Sequence, residues 1–278
     1  LRIALELPLK RLVVGGFERV FEIGRNFRNE GISTHHNPEF TMLEFYQAYA
    51  TYEDLMDLTE ELVVTLCDAV VGKRTISFGD VEVNYERPWK RLTMVEALYE
   101  IAQVPRNLDL LSLAGVHAAA RQLGQEHITE IGEFGIALYE LFDEVVESKI
   151  VNPTFITRFP IEVSPLSRKS ADDPRFVDRF ELFVAGMELA NAFSELNDAE
   201  DQLDRFQKQQ EAKLKGDNEA MELDEDFVRA LEYGMPPTAG EGIGIDRLVM
   251  LLTGQVSIRD VILFPQMRPL SHIVGDSE

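Results

Sequence analysis

The sequence predicts an α+β fold: an antiparallel sheet flanked by helices, with a small helical insertion. Three observations predict it. Arg19 to Asn29 and Glu39 to Ala50 read as two long strands joined by a polar turn over residues 30–38, an antiparallel hairpin. Asp178 to Ala185 reads as another strand, and Gly186 marks a turn or bulge before the chain runs back. Helical stretches separate the strand runs, and the hairpins argue for an antiparallel rather than a parallel sheet.

The elements follow in order. Leu9 to Val14 reads as a short helix closed by Gly15-Gly16, ahead of the first hairpin. Thr51 caps a helix with Asp54 in the capping-box position, and Leu55, Leu58, Leu62 and Leu66 give it an apolar stripe. Ile76 to Val83 reads as an edge hairpin and Thr93 to Gln103 as a helix. Residues 105–150 lack strand alternation; Leu138, Leu141 and Val145 form a helical stripe, so this stretch reads as the insertion. Val151 to Ile156 returns to strand. Asp198 to Lys215 is a charged amphipathic helix, and Asp224 to Tyr233 is another, ended by Gly234. Gly240 to Gly244 is a strand tight enough to need glycine, followed by a buried helix from Asp246 to Thr253 with Gly254 after it.

Bulk properties narrow the function. A chain of 278 residues buries a large core, and it reads as one domain over residues 1–278 with the insertion at about 105–150. A net charge of −22 argues against nonspecific nucleic-acid binding and fits a cationic substrate or Mg²⁺. The single cysteine, Cys67, sits at an apolar helical position and reads as a buried structural thiol. With no long uncharged apolar run and no signal-peptide pattern, the expectation is a cytoplasmic protein with no membrane partner.

Several residues carry chemistry. Arg28 and Glu30 lie two apart on the first strand, so they share a face. Arg247 is delivered from the Gly-rich strand into a helix. Two fixed guanidiniums suit phosphate oxygens, and the aromatic face of Phe40 can hold adenine. Glu44 and Tyr46 share a face with Phe40; Asn191, Phe193 and Glu195 share one if their segment is extended. An ε-ammonium leaving water needs two carboxylates, or a carboxylate and a hydroxyl, and Glu44, Glu195 and Tyr46 supply that set. Glu181 and Glu188 flank a strand–turn–strand unit and could share Mg²⁺ with ATP, although by spacing alone two solvated strand glutamates are the default reading.

Phe27-Arg28-Asn29-Glu30, Gly242-Ile243-Gly244-Ile245-Asp246-Arg247 and Asn191 to Asp198 together resemble the class II aminoacyl-tRNA synthetases, most closely the bacterial lysyl-tRNA synthetases. The first run resembles the family's motif 2 and the second its motif 3. The likeness runs from Leu1-Arg2-Ile3-Ala4 to Phe264-Pro265-Gln266-Met267-Arg268-Pro269. It implies ATP- and Mg²⁺-dependent activation of L-lysine to lysyl-adenylate and transfer to tRNA(Lys). By resemblance Arg28 bridges the substrate carboxylate and the α-phosphate, Arg247 holds the γ-phosphate, and His36 meets the phosphates. Phe40 stacks on adenine, while Glu30 and Asn37 meet its polar edge or hold the loop. Glu181 and Glu188 take Mg²⁺. Glu44, Tyr46, Phe193 and Glu195 form the side-chain pocket, Glu6 takes the α-amine, and Asn191 helps with the carboxylate. His35, beside His36, reads as a plain solvated loop histidine.

The chain departs from the family at its start. Nothing matches the anticodon-binding barrel or motif 1, which builds the family's homodimer interface, so the expectation is an N-terminally truncated catalytic domain. Leu5 and Pro8 stand where the family more often has proline and an aromatic. Two alternatives stay open at this point: a lysyltransferase acting on a translation factor protein, and a non-catalytic lysine- or ATP-binding fragment.

Overall fold

The computed structural model describes residues 1–29, 31–214 and 223–267. Glu30, Lys215, Arg268 and Pro269 therefore lie outside the described residues.

Chain order is α1 (Glu6–Val14), β1 (Arg19–Phe27), β2 (Glu39–Ala48), α2 (Tyr52–Leu66), β3 (Thr75–Phe78), β4 (Val81–Asn84), β5 (Lys90–Thr93) and α3 (Met94–Glu100). There follow α4 (Leu113–Gln122), α5 (Phe134–Val145), β6 (Thr154–Thr157), β7 (Arg179–Val184), β8 (Met187–Ser194), α6 (Ala199–Leu214), α7 (Glu225–Tyr233), β9 (Thr238–Gly244) and α8 (Ile245–Thr253). Among the described residues, seven strands form one sheet in the order β1-β2-β9-β8-β7-β6-β5. Every neighbouring pair is antiparallel except β5–β6.

The two faces of the sheet are covered differently. On one face α2, α8 and the β3–β4 hairpin close a core with Phe155, Phe180, Leu182, Ala192 and Ile243. On the other face α4 and α5, with α3, pack on Leu92, Ile156 and Phe183. At the opposite end of that face α1, α6 and α7 cover Tyr46 and Ala48. Between these two helical caps the sheet lies open.

Most expected elements are present, with informative differences. Helix α1 starts at Glu6, three residues before the predicted start, because Pro8 falls in the first turn, where no N–H is needed. Strand β1 ends at Phe27, although Arg28 N still donates to Pro38 O at 3.0 Å. Helix α3 ends at Glu100, and Gln103 has already left helical geometry with φ 60. The β3–β4 hairpin forms its own two-stranded sheet rather than an edge of the main one. Strand β5 went unpredicted: of its four residues Leu92 alone is buried, so it offers no apolar run.

The α2 stripe needs correction. Thr51 and Asp54 do form the capping box. The buried face, however, is Leu55, Met56, Thr59, Glu60, Val63 and Val64, and Leu58 is 42% exposed. Two polar residues inside the face misled the pattern. Thr59 Oγ1 lies 2.7 Å from both Leu55 O and Glu241 Oε1, and Glu60 Oε2 accepts from Arg87 Nε at 2.9 Å. Both are buried because they are hydrogen-bonded. The stripe Leu138, Leu141 and Val145 is buried on α5 as expected, and so is Cys67, whose thiol burial pushes up to about 11.

Candidate active site

The open part of the sheet is a cavity of about 710 Å³. Its floor follows from strand register. Glu44 of β2 lies opposite Gly242 of β9, Gly242 opposite Asn191 of β8, and Asn191 opposite Glu181 of β7. The adjacent row on the same face is Tyr46, Gly240, Phe193 and Arg179. Along the cavity β9 presents glycines to this face, at 240, 242 and 244. The lack of side chains makes a trough between β2 and β8. A Cβ at Gly240 would collide with the Tyr46 ring and with Glu195 Oε1.

A bulge completes the acidic edge. On β8 the register slips between Leu182 and Phe183, so Ala190 pairs with Leu182 but Glu188 with Phe183. The extra residue, Leu189, puts Glu188 on the same face as Glu181 and Asn191, which simple alternation would not. Glu181 pairs with Arg179, and burial pushes its carboxyl up to about 7, with Arg179 opposing and Glu188 adding to the rise. No group of three or more potential metal ligands occurs among the described residues. Two carboxylates on one face nevertheless fit Mg²⁺, which keeps water and takes few protein ligands beside phosphate oxygens.

At one end of the cavity stand Arg28, His36, Asn37, Phe40 and Arg247. The Arg28 guanidinium lies 5.2 Å from the centre of the Phe40 ring, and its Nε donates to Ile3 O at 3.2 Å. Arg247 donates to Glu188 O at 2.6 Å and lies 3.2 Å from His36 Nε2. His36 Nδ1 and Ser33 Oγ lie 3.0 Å apart, so the loop reaches α8 through one imidazole. Asn37 is buried and donates to Glu39 O at 2.6 Å, a loop-holding role. His35 is a correction: it is half-buried on the cavity wall, and burial followed by Arg247 lowers its pKa.

At the other end stand Glu6, Glu44, Tyr46, Asn191 and Phe193. Glu44 is buried; it accepts from Leu5 N at 3.1 Å and from Tyr46 Oη at 3.2 Å. Burial and then Glu6 push its pKa up, so it gains from a cation. The Leu5 bond uses an N–H that a proline at this position would lack. Glu195 lies behind Gly240 and is fully buried; burial pushes its carboxyl to about 8, against the pull of Lys10.

All the expected site residues that the structure describes therefore converge on one face of the sheet. Two more, Lys10 and Arg179, escaped the sequence reading. Lys10 has the i,i+4 spacing to Glu6, but nothing local signals that it also meets Glu195.

A family model for tRNA synthetases class II (D, K and N) matches residues 1–268. This chain belongs to that family. Among its curated relatives are the lysine–tRNA ligases of Pseudomonas aeruginosa (strain LESB58), Pseudomonas syringae pv. syringae (strain B728a) and Ectopseudomonas mendocina (strain ymp). Each is 58% identical over 269 residues, or 97% of this chain. The chain spans about half the length of these class II synthetases, 54%, 54% and 53% respectively. The class II resemblance stated from Arg28, Arg247 and the 191–198 run is thus borne out at the level of family and α+β fold. No helix among the described residues is long and apolar enough to cross a membrane.

Proposed function

We propose that this chain is the catalytic part of an enzyme that activates L-lysine with ATP and Mg²⁺ and passes it to tRNA(Lys), in the cytoplasm. The observation that carries the reading is the polarity of the cavity. Glu6, Glu44, Tyr46 and Glu195 gather at one end, and Arg28 and Arg247 stand at the other. Lysine is cationic at both amines and anionic at its carboxylate, so it fits in one direction only. Aspartate would bring its side-chain carboxylate against glutamates. The names of the relatives support the same substrate.

The reaction needs positioning and charge stabilisation more than a base. Glu44, Glu195 and Tyr46 hold the ε-ammonium, Glu6 the α-ammonium, and Phe193 packs on the stem. Asn191 and Arg28 orient the carboxylate. A carboxylate oxygen attacks the α-phosphorus as the bond to pyrophosphate breaks, and Arg28 meets the charge that grows on the α-phosphate oxygens. Arg247, with His36, holds the departing phosphates. Phe40 exchanges its contact with the Arg28 guanidinium for adenine. Glu181 and Glu188 would hold Mg²⁺, which supplies charge neutralisation for the phosphates. A homodimer is part of the proposal, as in the family.

The test is lysine-dependent ATP–pyrophosphate exchange in the presence of Mg²⁺. Exchange is expected with lysine and not with arginine or aspartate. Glu44→Gln and Arg28→Ala should each lower kcat/KM by about 30-fold or more, since losing a charge-assisted hydrogen bond costs roughly 2 kcal/mol or more. Exchange supported equally by aspartate, or untouched by Glu44→Gln, removes the lysine assignment.

A further inference from the structure

Lys10 stands one helical turn after Glu6 on α1, and its side chain is completely buried. Its ammonium donates to Glu6 Oε1 at 2.5 Å and pairs with Glu195 Oε2. It lies 5.2 Å from the centre of the Phe193 ring and 5.9 Å from those of Tyr46 and Phe227. Four of its five neighbours are thus residues assigned above to the substrate. A buried ammonium is unfavourable unless it is paired from several sides, and a hydrophobic residue would join α1 to the sheet with less desolvation.

The charge count gives it a role. Glu6, Glu44 and Glu195 bring three carboxylates to this end, and Lys10 brings one resident cation. With all three ionised, the form that bound ammonium groups favour, two net negative charges remain, and a free lysine carries two ammonium groups. Geometry points the same way. With Oε2 on Lys10, Glu195 Oε1 lies against Gly240 on the trough floor and makes no hydrogen bond among the described residues.

We propose that Lys10 is a positioning residue for substrate specificity: it takes Glu195 Oε2 and so leaves Oε1 presented at the trough, and it matches the charge of the pocket to the two cations of lysine. This rests on the lysine reading of the preceding subsection. Lys10 acts through Glu195 and does not touch the reacting atoms.

Burial already pushes the Glu195 carboxyl to about 8 while Lys10 opposes the rise. Removing Lys10 moves it higher still, so the ionised fraction of Glu195 at neutral pH falls further and its grip on an ammonium weakens. The other groups facing Glu195 are Glu6 on α1 and Glu44 on β2, both of which favour its neutral form, and the Tyr46 hydroxyl.

The experiment is L-lysine binding to the 278-residue chain by titration calorimetry from pH 6 to 9. It compares the unmodified chain with Lys10→Met, Glu195→Gln and the double variant, each checked for folding by circular dichroism. The unmodified chain is expected to bind lysine. Lys10→Met should bind at least tenfold more weakly at pH 7, and this ratio should narrow towards pH 9 as Glu195 ionises. The double variant should bind within about threefold of Glu195→Gln alone, as coupled partners do. Lysine bound by Lys10→Met as tightly as by the unmodified chain, or more tightly, overturns the proposal. So does a double variant in which the two losses multiply, or a tenfold loss that stays constant across pH. A folded unmodified chain that ignores lysine overturns the lysine reading itself, and this proposal with it. If Lys10→Met fails to fold, Lys10→Gln, which keeps donors for both carboxylates, takes its place under the same criteria.

Discussion

Arg179 Nε donates to Asn191 Oδ1 at 3.1 Å across the β7–β8 pair. That bond fixes the orientation of the amide and turns the Asn191 NH₂ away from Arg179, the orientation in which it can donate to a substrate carboxylate. The same guanidinium pairs with Glu181, donates to Val163 O and Ser164 Oγ at 2.8 Å each, and lies 4.5 Å from the centre of the Phe159 ring. One planar fork therefore ties a proposed lysine ligand to a proposed Mg²⁺ ligand.

Replacing Arg179 by lysine keeps the charge and removes the fork. The expected result is a fall in kcat/KM of roughly tenfold to a hundredfold, from the loss of charged hydrogen bonds. Both the lysine KM and the Mg²⁺ dependence should move. Exchange assays titrated in lysine and in Mg²⁺ check this; movement of one without the other limits Arg179 to a single end of the cavity.

Gly240 is expected to tolerate no side chain. In Gly240→Ala the new Cβ meets the Tyr46 ring and Glu195 Oε1, both buried. Overpacking of this kind costs about 1–3 kcal/mol. Lysine affinity should fall by at least tenfold while ATP binding holds, measured by calorimetry for each ligand. Equal losses for both ligands would contradict the assignment of this row to lysine.

Glu241 points to the other face of β9, into the core under α2, with one oxygen on Thr59 and the other without a partner among the described residues. Burial pushes its carboxyl from 4.5 to about 8. Between those values the folded state keeps a proton that the unfolded state has lost, so Glu241 lowers stability as pH rises through about 4.5 to 8. Glu241→Gln should be near neutral at pH 5 and raise Tm by roughly 2 °C or more at pH 8, where a kcal/mol shifts Tm by a few degrees. Thermal melts at the two pH values check it; an equal difference at both assigns the effect to packing.

The corrected face of α2 gives a stability test. Leu55→Ala should cost about 2–5 kcal/mol, because Leu55 is 1% exposed in the main core. Leu58→Ala should stay within about 0.5 kcal/mol. Chemical denaturation of the two variants decides between the buried face described here and the all-leucine stripe.

The legible parts of the fold were those with strong local signals. The β1–β2 hairpin, the turn at Ala185-Gly186 (φ 50 and 73), the capping box at Thr51 and the α5 stripe follow from alternation, turn chemistry and caps. The site residues were legible because two arginines, paired glutamates and a Gly-rich strand fall in runs that resemble a known family. Less legible was anything set by partners distant in sequence. Thr59 and Glu60 look like surface residues until Glu241 and Arg87 reach them. β5 looks like loop until β6 pairs with it in parallel.

By itself the sequence determined the residue types, their alternation along each strand and the glycines of β9, and so which residues could share a face. Tertiary structure alone decided which faces meet. The Leu189 bulge brings Glu188 round to Glu181, and the docking of α1 sets Lys10 between Glu6 and Glu195. The reason is physical. A side chain's direction is fixed by local backbone geometry, whereas its charge partner is fixed by register and helix docking, which only the assembled core specifies.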